Sequence, residues 1–344
     1  MRNLLYLIFL KPQIFLLQHH WQFTKEIVGT ANALVGGWGN VGGGVTQIVM
    51  GTLLFPLFRD VIYDGDPEKA WRTVCVVPAF VAFMTGLIVL RTSEDCPEGN
   101  YSDLKKTGHM PEISAAASFR KGAVNLNTWL LYIQYGCCFG VELTMNNAAA
   151  SYFVDEFGLT TATASAVASI FGFMNIFARG LGGFVSDKAM GKMGMKGRIL
   201  TQMMFLLLEG GCIFIFSQME DLWSAILMLT IFSIFVQAAE GSTYGIVPYV
   251  NPAAPGAVAG IVGAGGPSGA VAFGFGFLLL DKIEDAYILM ASGVVFAGLL
   301  SLLINIKGHG GVFFKAPENE AIGAGDGGLV VPEIAEKGEV EKVA

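Results

Sequence analysis

Gly36-Gly37-Trp38-Gly39-Asn40-Val41-Gly42-Gly43-Gly44 and Gly263-Ala264-Gly265-Gly266-Pro267-Ser268-Gly269-Ala270 each lie inside an apolar run long enough to cross a bilayer. Glycine is costly in a water-exposed helix, but in a membrane it lets a second backbone, or a small ligand, come close. Two such stretches far apart in one chain predict a transporter of two structural repeats with its substrate between them. In the first, Gly36, Asn40, Gly43, Gln47 and Gly51 recur at steps of three or four and share one helix face, with Gly39 beside it. Asn40 and Gln47 bring amide donors to that face, suited to an oxyanion; plain helix packing through small residues is the other reading. In the second, Gly256, Gly260, Gly263 and Gly274 repeat the pattern, with Gly266 beside Pro267, which is expected to kink the helix.

Composition places the pair in an all-α polytopic membrane protein. The chain is 53% hydrophobic and only 14% charged, with a mean hydropathy of +0.57. Its net charge of −7 and lack of a basic patch give no support to nucleic-acid binding. No Gly-Lys-Ser/Thr phosphate loop and no nucleophile–base motif occurs, which argues against a nucleotide-driven pump and against an enzyme. Cys75, Cys96, Cys137, Cys138 and Cys212 show neither a disulfide framework nor metal-ligand spacing, so no metal or cofactor is called for.

Runs of spanning length fall at about 27–57, 73–90, 128–153, 161–185, 199–219, 222–248, 255–280 and 286–306. A ninth, about 4–18, is interrupted by Lys11-Pro12 and reads as an incomplete transmembrane helix rather than a signal peptide. The connecting segments alternate in charge. Lys25, then Arg91, Lys105, Lys106, Arg120 and Lys121, then Lys188, Lys192, Lys196 and Arg198, then the tail lysines form the cation-rich set; Arg59, Lys69, Arg72 and Lys282 form the sparse one. The positive-inside rule puts the first set, and the C-terminus, in the cytoplasm. The expected organisation is an incomplete N-terminal half (1–91), a cytoplasmic central loop (92–127), a six-helix C-terminal half (128–306) and an acidic cytoplasmic tail (307–344). Equivalent halves would require about 100 further residues, roughly three helices, before the first.

Arg179 is the cation set deep in a span. Its planar fork suits a small planar oxyanion; the competing readings are an ion pair with Glu142 or Glu209, or snorkelling to the interface. Glu142, Glu209 and Glu240 are the mid-span acids and the candidates for proton coupling. Tyr135 and Phe139 share a face that Glu142 adjoins, either as one wall of an anion site or as a core aromatic stripe. Asp187, in Gly183-Phe-Val-Ser-Asp187, and Arg198 lie at the junction of two spans, where gating and structure are expected rather than substrate contact.

Gly36–Gln47 and Gly256–Val271 resemble the two nitrate-signature motifs of the nitrate/nitrite porters of the major facilitator superfamily, and Gly183–Arg198 resembles that superfamily's cytoplasmic loop motif. Gly140-Val-Glu-Leu-Thr144, Phe177-Ala-Arg-Gly180 and Gly241-Ser-Thr-Tyr-Gly-Ile-Val-Pro248 are similar to the eukaryotic high-affinity branch. The resemblance covers about 27–306 and implies family helices four to twelve of twelve, with a central anion site worked by alternating access. It places Arg179 at the substrate arginine of the eighth helix, Tyr135 at the substrate-facing tyrosine of the seventh, and Asn40 in the first signature on the fifth. It departs at Gly266-Pro267, where the family reads Gly-Asn, and at the second substrate arginine, which belongs to the second helix. The implied function is proton-coupled transport of nitrate, and of nitrite, across the plasma membrane. The other readings are a carrier of another small solute, a channel, or a non-transporting sensor. Nitrate, nitrite, protons and the lipid bilayer are the implied partners; nothing in the residues names an accessory subunit.

Overall fold

The computed structural model describes residues 27–95, 99–107 and 114–314. The apolar run at 4–18, Lys25, Cys96 and the tail from residue 315 lie outside the described residues. Helix α1 (Val28–Thr46) continues through π-helical turns, Gln47–Leu54 and Leu57–Ile62, so that Val28–Ile62 makes one span. Asp64 and Gly65, both with positive φ, turn the chain into α2 (Pro67–Val74) and α3 (Val76–Thr92). Asp66 caps α2, accepting from the backbone N–H groups of Glu68 and Lys69 at 3.0 and 3.1 Å. These bonds, that of Lys69 foremost, hold the Asp66 carboxyl below its ordinary range.

The central segment contains two short helices, α4 (Tyr101–Lys106) and α5 (Ala115–Ala123). Then come α6 (Leu126–Phe157), α7 (Thr161–Phe173), a 3₁₀ turn at Met174–Ile176, α8 (Ala178–Met193), α9 (Met195–Phe216), α10 (Leu222–Val250), α11 (Pro255–Leu279) and α12 (Ile283–Leu300). A small antiparallel hairpin, β1 (Asn305–Ile306) with β2 (Gly310–Gly311), follows α12. Each span expected from 27 to 306 has a helix. Among the described residues, seven are long and apolar enough to cross a membrane. Helix α6 is long enough but more polar than these, because Gln134, Glu142, Asn146 and Asn147 interrupt its apolar surface.

Helices α6 to α12 enclose one core, centred on Phe153, Phe171, Phe216, Phe232 and Tyr287. Along the α6–α11 seam, glycines face glycines. A Cβ added at Gly140 would lie 2.9 Å from the Gly269 Cα, and one at Gly136 would lie 3.0 Å from the Gly265 carbonyl oxygen. Pro267 sits inside α11 without ending it, and the Ser268 hydroxyl donates to the Ala264 carbonyl in the same helix at 2.9 Å. Helix α1 lies against α7, α8 and α10, whereas the apolar side chains of α3, such as Phe80, Phe83 and Leu90, face outward.

One end of the bundle is tied by side-chain amides. Asn125 donates to the Val250 carbonyl at 3.0 Å, and Asn127 exchanges bonds with Asn305 at 2.8 and 3.0 Å. The segments at this end carry Arg120, Lys121, Lys188, Lys192, Lys196 and Lys307; those at the other carry Asp155, Glu156, Glu220, Asp221, Asp281, Glu284 and Asp285.

Candidate functional site

The site begins with a broken helix. The α7–α8 span is interrupted at Met174–Ile176, and Phe177 leaves helical geometry at φ −132°. Arg179 is the second residue of α8, just past the break, and is only 3% exposed. Its Nη2 donates to the Tyr135 hydroxyl of α6 at 2.8 Å, and its Nη1 pairs with the Glu240 carboxyl of α10. Its Cζ lies 5.8 Å from the centre of the Phe139 ring, within cation–π range. Tyr135 is wedged between Phe139 and Tyr244, with ring centres 5.2 and 5.1 Å apart.

Glu142, two turns along α6 from Tyr135, is also buried. Its two carboxyl oxygens accept from Asn175 Nδ2, in the break, at 3.0 Å and from Asn40 Nδ2, on α1, at 3.4 Å. Glu142 and Glu240 interact with each other, and both lie in the field of Arg179. One guanidinium, two carboxyls, a phenol and two amides therefore form one polar cluster inside apolar helices. Gly36 and Gly37 admit it: a Cβ at Gly36 would lie 3.0 Å from Arg179 Nε, and one at Gly37 2.7 Å from the Asn175 carbonyl.

The structure thus gathers Arg179, Tyr135, Phe139, Glu142, Glu240 and Asn40, and it resolves the ion-pair question. The carboxyl on Arg179 is Glu240, neither Glu142 nor Glu209. Glu209 is fully buried on α9, both of its carboxyl oxygens lack hydrogen-bond partners among the described residues, and it lies within electrostatic reach of Cys137 and Cys138. Gln47 departs from the expected site. Its amide donates to the Asn146 carbonyl at 2.8 Å: two turns along α1 from Asn40, it still faces α6 but lies beyond the Arg179 cluster.

The motif glycines divide. Gly36 faces Arg179, Gly43 faces the Asn146 amide, and Gly39 is half-buried. Gly266 meets the Phe139 ring, and Gly263 lies beside the Tyr244 hydroxyl. Gly260 departs from the packing expectation: a side chain added there would meet open space among the described residues. Asn175 and Tyr244 escape the sequence pattern. The first is a lone amide four residues before Arg179, across the helix break, and carries little signal; the second lies four after Glu240 within Gly241–Pro248, where helical spacing holds the signal.

Toward the basic end, Asp187 and Arg198 form a second buried pair. Arg198 Nη2 reaches Asp187 Oδ1 at 2.6 Å, Arg198 Nη1 donates to Ser186 Oγ at 3.2 Å, and the guanidinium lies over the Tyr249 ring. Asp187 also accepts from the backbone N–H groups of Gly29 and Thr30 at 3.1 and 2.6 Å, and from the Thr30 hydroxyl. Ile27, at the N-cap position, makes no side-chain cap, and a carboxylate from α8 accepts from the first turn of α1 and meets its positive dipole end. Asp187→Asn is expected to destabilise the detergent-solubilised chain by about 3 kcal/mol, since it removes the charge opposing buried Arg198. A melting temperature within a degree of the unaltered chain would show that the pair does not hold the two elements.

The profile of the Major Facilitator Superfamily matches residues 22–275. Nitrate transporter 2.1 of Chlamydomonas reinhardtii is 42% identical over 253 residues, 72% of this chain and 45% of that protein. High affinity nitrate transporter 2.5 of Arabidopsis thaliana is 37% identical over 249 residues, 72% of this chain and 49% of that protein. Nitrate/nitrite transporter NrtP of Picosynechococcus sp. is 26% identical over 346 residues, 76% and 64% respectively. The chain spans about half the length of the first two of these relatives.

Proposed function

The chain belongs to the Major Facilitator Superfamily, and from that premise we propose that it serves transport of nitrate, and of nitrite, across the plasma membrane together with protons. The observation that carries this reading is the Arg179 guanidinium, buried between Tyr135 and Glu240. A small planar anion suits that fork, with the Tyr135 hydroxyl beside it. The relatives named for nitrate support the choice of anion.

Charge balance links the proton to the anion. With both carboxyls ionised, Arg179, Glu142 and Glu240 sum to one negative charge. A second anion then meets repulsion in a poorly screened interior unless a proton enters with it. Nitrate takes the Glu240 position on Arg179, and the displaced carboxyl takes up the proton. Inward proton flow also offsets the membrane potential, about 2.3 kcal/mol per charge per 100 mV. Glu142 interacts with Glu240 and shares the proton with it; Glu209 is a third carboxyl, farther off. By the positive-inside rule the basic end, with the C-terminus, faces the cytoplasm, and the Asp187–Arg198 clasp on α1 closes that side. Alternating access works by opening and remaking such contacts.

Glu240→Gln tests the coupling. The amide cannot take the proton, so uptake should lose most of its dependence on external pH while nitrate binding survives. An unaltered pH profile at normal surface expression would move the proton site to Glu142 or Glu209.

A further inference from the structure

We propose that Asn175 is a positioning residue for the proton on Glu142: its amide donates to the ionised carboxyl and, turned over about its last torsion, accepts from the protonated one. The inference rests on the proton-coupled reading above and assigns a role to a side chain outside every sequence motif discussed. Asn175 is 1% exposed, as is Glu142, and its Nδ2 lies 3.0 Å from Glu142 Oε1. The Asn175 Oδ1 has no hydrogen-bond partner among the described residues. A buried amide oxygen left unpaired is costly, and here it lies on the same small group that already grips the carboxyl. An ionised carboxyl only accepts; a protonated one also donates. An amide carries one donor face and one acceptor face, so a half-turn pairs it with either state, which a hydrophobic side chain or a lysine does not do.

The break in the span gives Asn175 this place. Met174–Ile176 is a 3₁₀ turn, and its carbonyl at Asn175 is the atom that Gly37 of α1 approaches. The same residue thus touches α1 through its backbone and α6 through its side chain. Arg179 of α8 and Glu240 of α10 face Glu142, with Glu209 of α9 beyond Glu240. Its own helix adds Tyr135, Cys137 and Cys138. Helices α7 and α11 and the Val28–Thr46 segment bring no titratable side chain. Helices α5 and α12 carry their charges (Arg120 and Lys121; Glu284 and Asp285) toward the bundle ends, and Tyr287 of α12 packs on Tyr152 and Phe216 in the core. The partner on α1 is again an amide, Asn40 at 3.4 Å.

The test pairs two readouts on the full chain in lipid. Infrared difference spectra between acid and neutral pH identify the protonated Glu142 carbonyl band by its loss in Glu142→Gln. In Asn175→Ala that band should move to higher frequency, because the hydrogen bond that the protonated carboxyl donates to the amide oxygen is gone. In reconstituted vesicles, the pH of half-maximal nitrate uptake should move alkaline by about one unit, since the charge-assisted bond to the ionised carboxyl is the stronger of the two that are lost. Asn175→Asp keeps the shape if alanine disturbs the fold. It sets a second carboxyl against Glu142, and the shift should again be alkaline. An unmoved band in both variants would overturn the proposal outright. A moved band with an unchanged uptake profile would also overturn it, and would place the failure in the transport role of Glu142 rather than in the contact.

Discussion

Arg179→Lys is expected to cut nitrate uptake by about 100-fold while leaving membrane insertion intact. A lysine retains the charge but presents one point instead of a fork. It cannot hold Tyr135 and Glu240, or two oxygens of one anion, at the geometry that Nη1 and Nη2 set. Losing two charge-assisted hydrogen bonds, at roughly 1.4 kcal/mol each, gives that factor. The cation–π interaction with Phe139 weakens as well. Isotopic nitrate flux, normalised to surface protein, is the measurement. Uptake within threefold of the unaltered chain would remove Arg179 from the anion site.

Gly172→Leu has the largest effect expected on folding. Gly172 of α7 lies against Gly44 of α1: a Cβ there would come 2.6 Å from the Gly44 Cα and 3.0 Å from the Gly43 carbonyl carbon. From the other side, a Cβ on Gly44 would lie 2.8 Å from both the Phe173 nitrogen and the Ser169 carbonyl oxygen. These are backbone atoms, so no rotamer change relieves the clash and the helices must separate. Overpacking of this kind costs about 3 kcal/mol or more. It would pull Asn40 from Glu142 and Gly36 from Arg179. The expected result is loss of the folded species in size-exclusion profiles, or a melting temperature lower by several degrees. Gly42→Leu is the control, because Gly42 is exposed and a side chain there meets nothing within 4 Å. Equal stability of the two variants would show that α1 does not pack tightly on α7.

The helices are legible in the sequence because bilayer length and apolar composition are local properties, and each run from 27 to 306 predicts a helix within a few residues at most ends. Arg179 is legible for a similar reason, since a lone cation in an apolar run needs an explanation. Its partner is not. Glu142, Glu209 and Glu240 are equivalent as mid-span acids, and only the three-dimensional approach of α8 to α10 selects Glu240. Gln47 misleads because a helical wheel gives the face but not the depth: it shares the face of Asn40 yet meets α6 one turn past Glu142, at Asn146. Arg198 counts in sequence as one of a loop's cations, yet α9 begins at Met195 and buries it against Asp187. Gly260 illustrates the limit of the glycine pattern: period alone does not say whether a second surface is opposite. Asn175 gives little signal because the break that positions it has no proline or glycine at its centre.

Proton uptake on nitrate binding tests the central claim most directly. Purified chain in weakly buffered detergent solution, mixed with nitrate, should bind the anion saturably and take up about one proton per bound nitrate, as the charge balance of Arg179, Glu142 and Glu240 requires. A pH-indicator dye reads the protons, and isothermal titration reads the binding. Glu240→Gln should bind nitrate with the proton uptake largely gone, and Arg179→Lys should bind neither. Saturable binding of nitrate with no proton taken up by the unaltered chain, or binding that survives Arg179→Lys undiminished, would contradict the account.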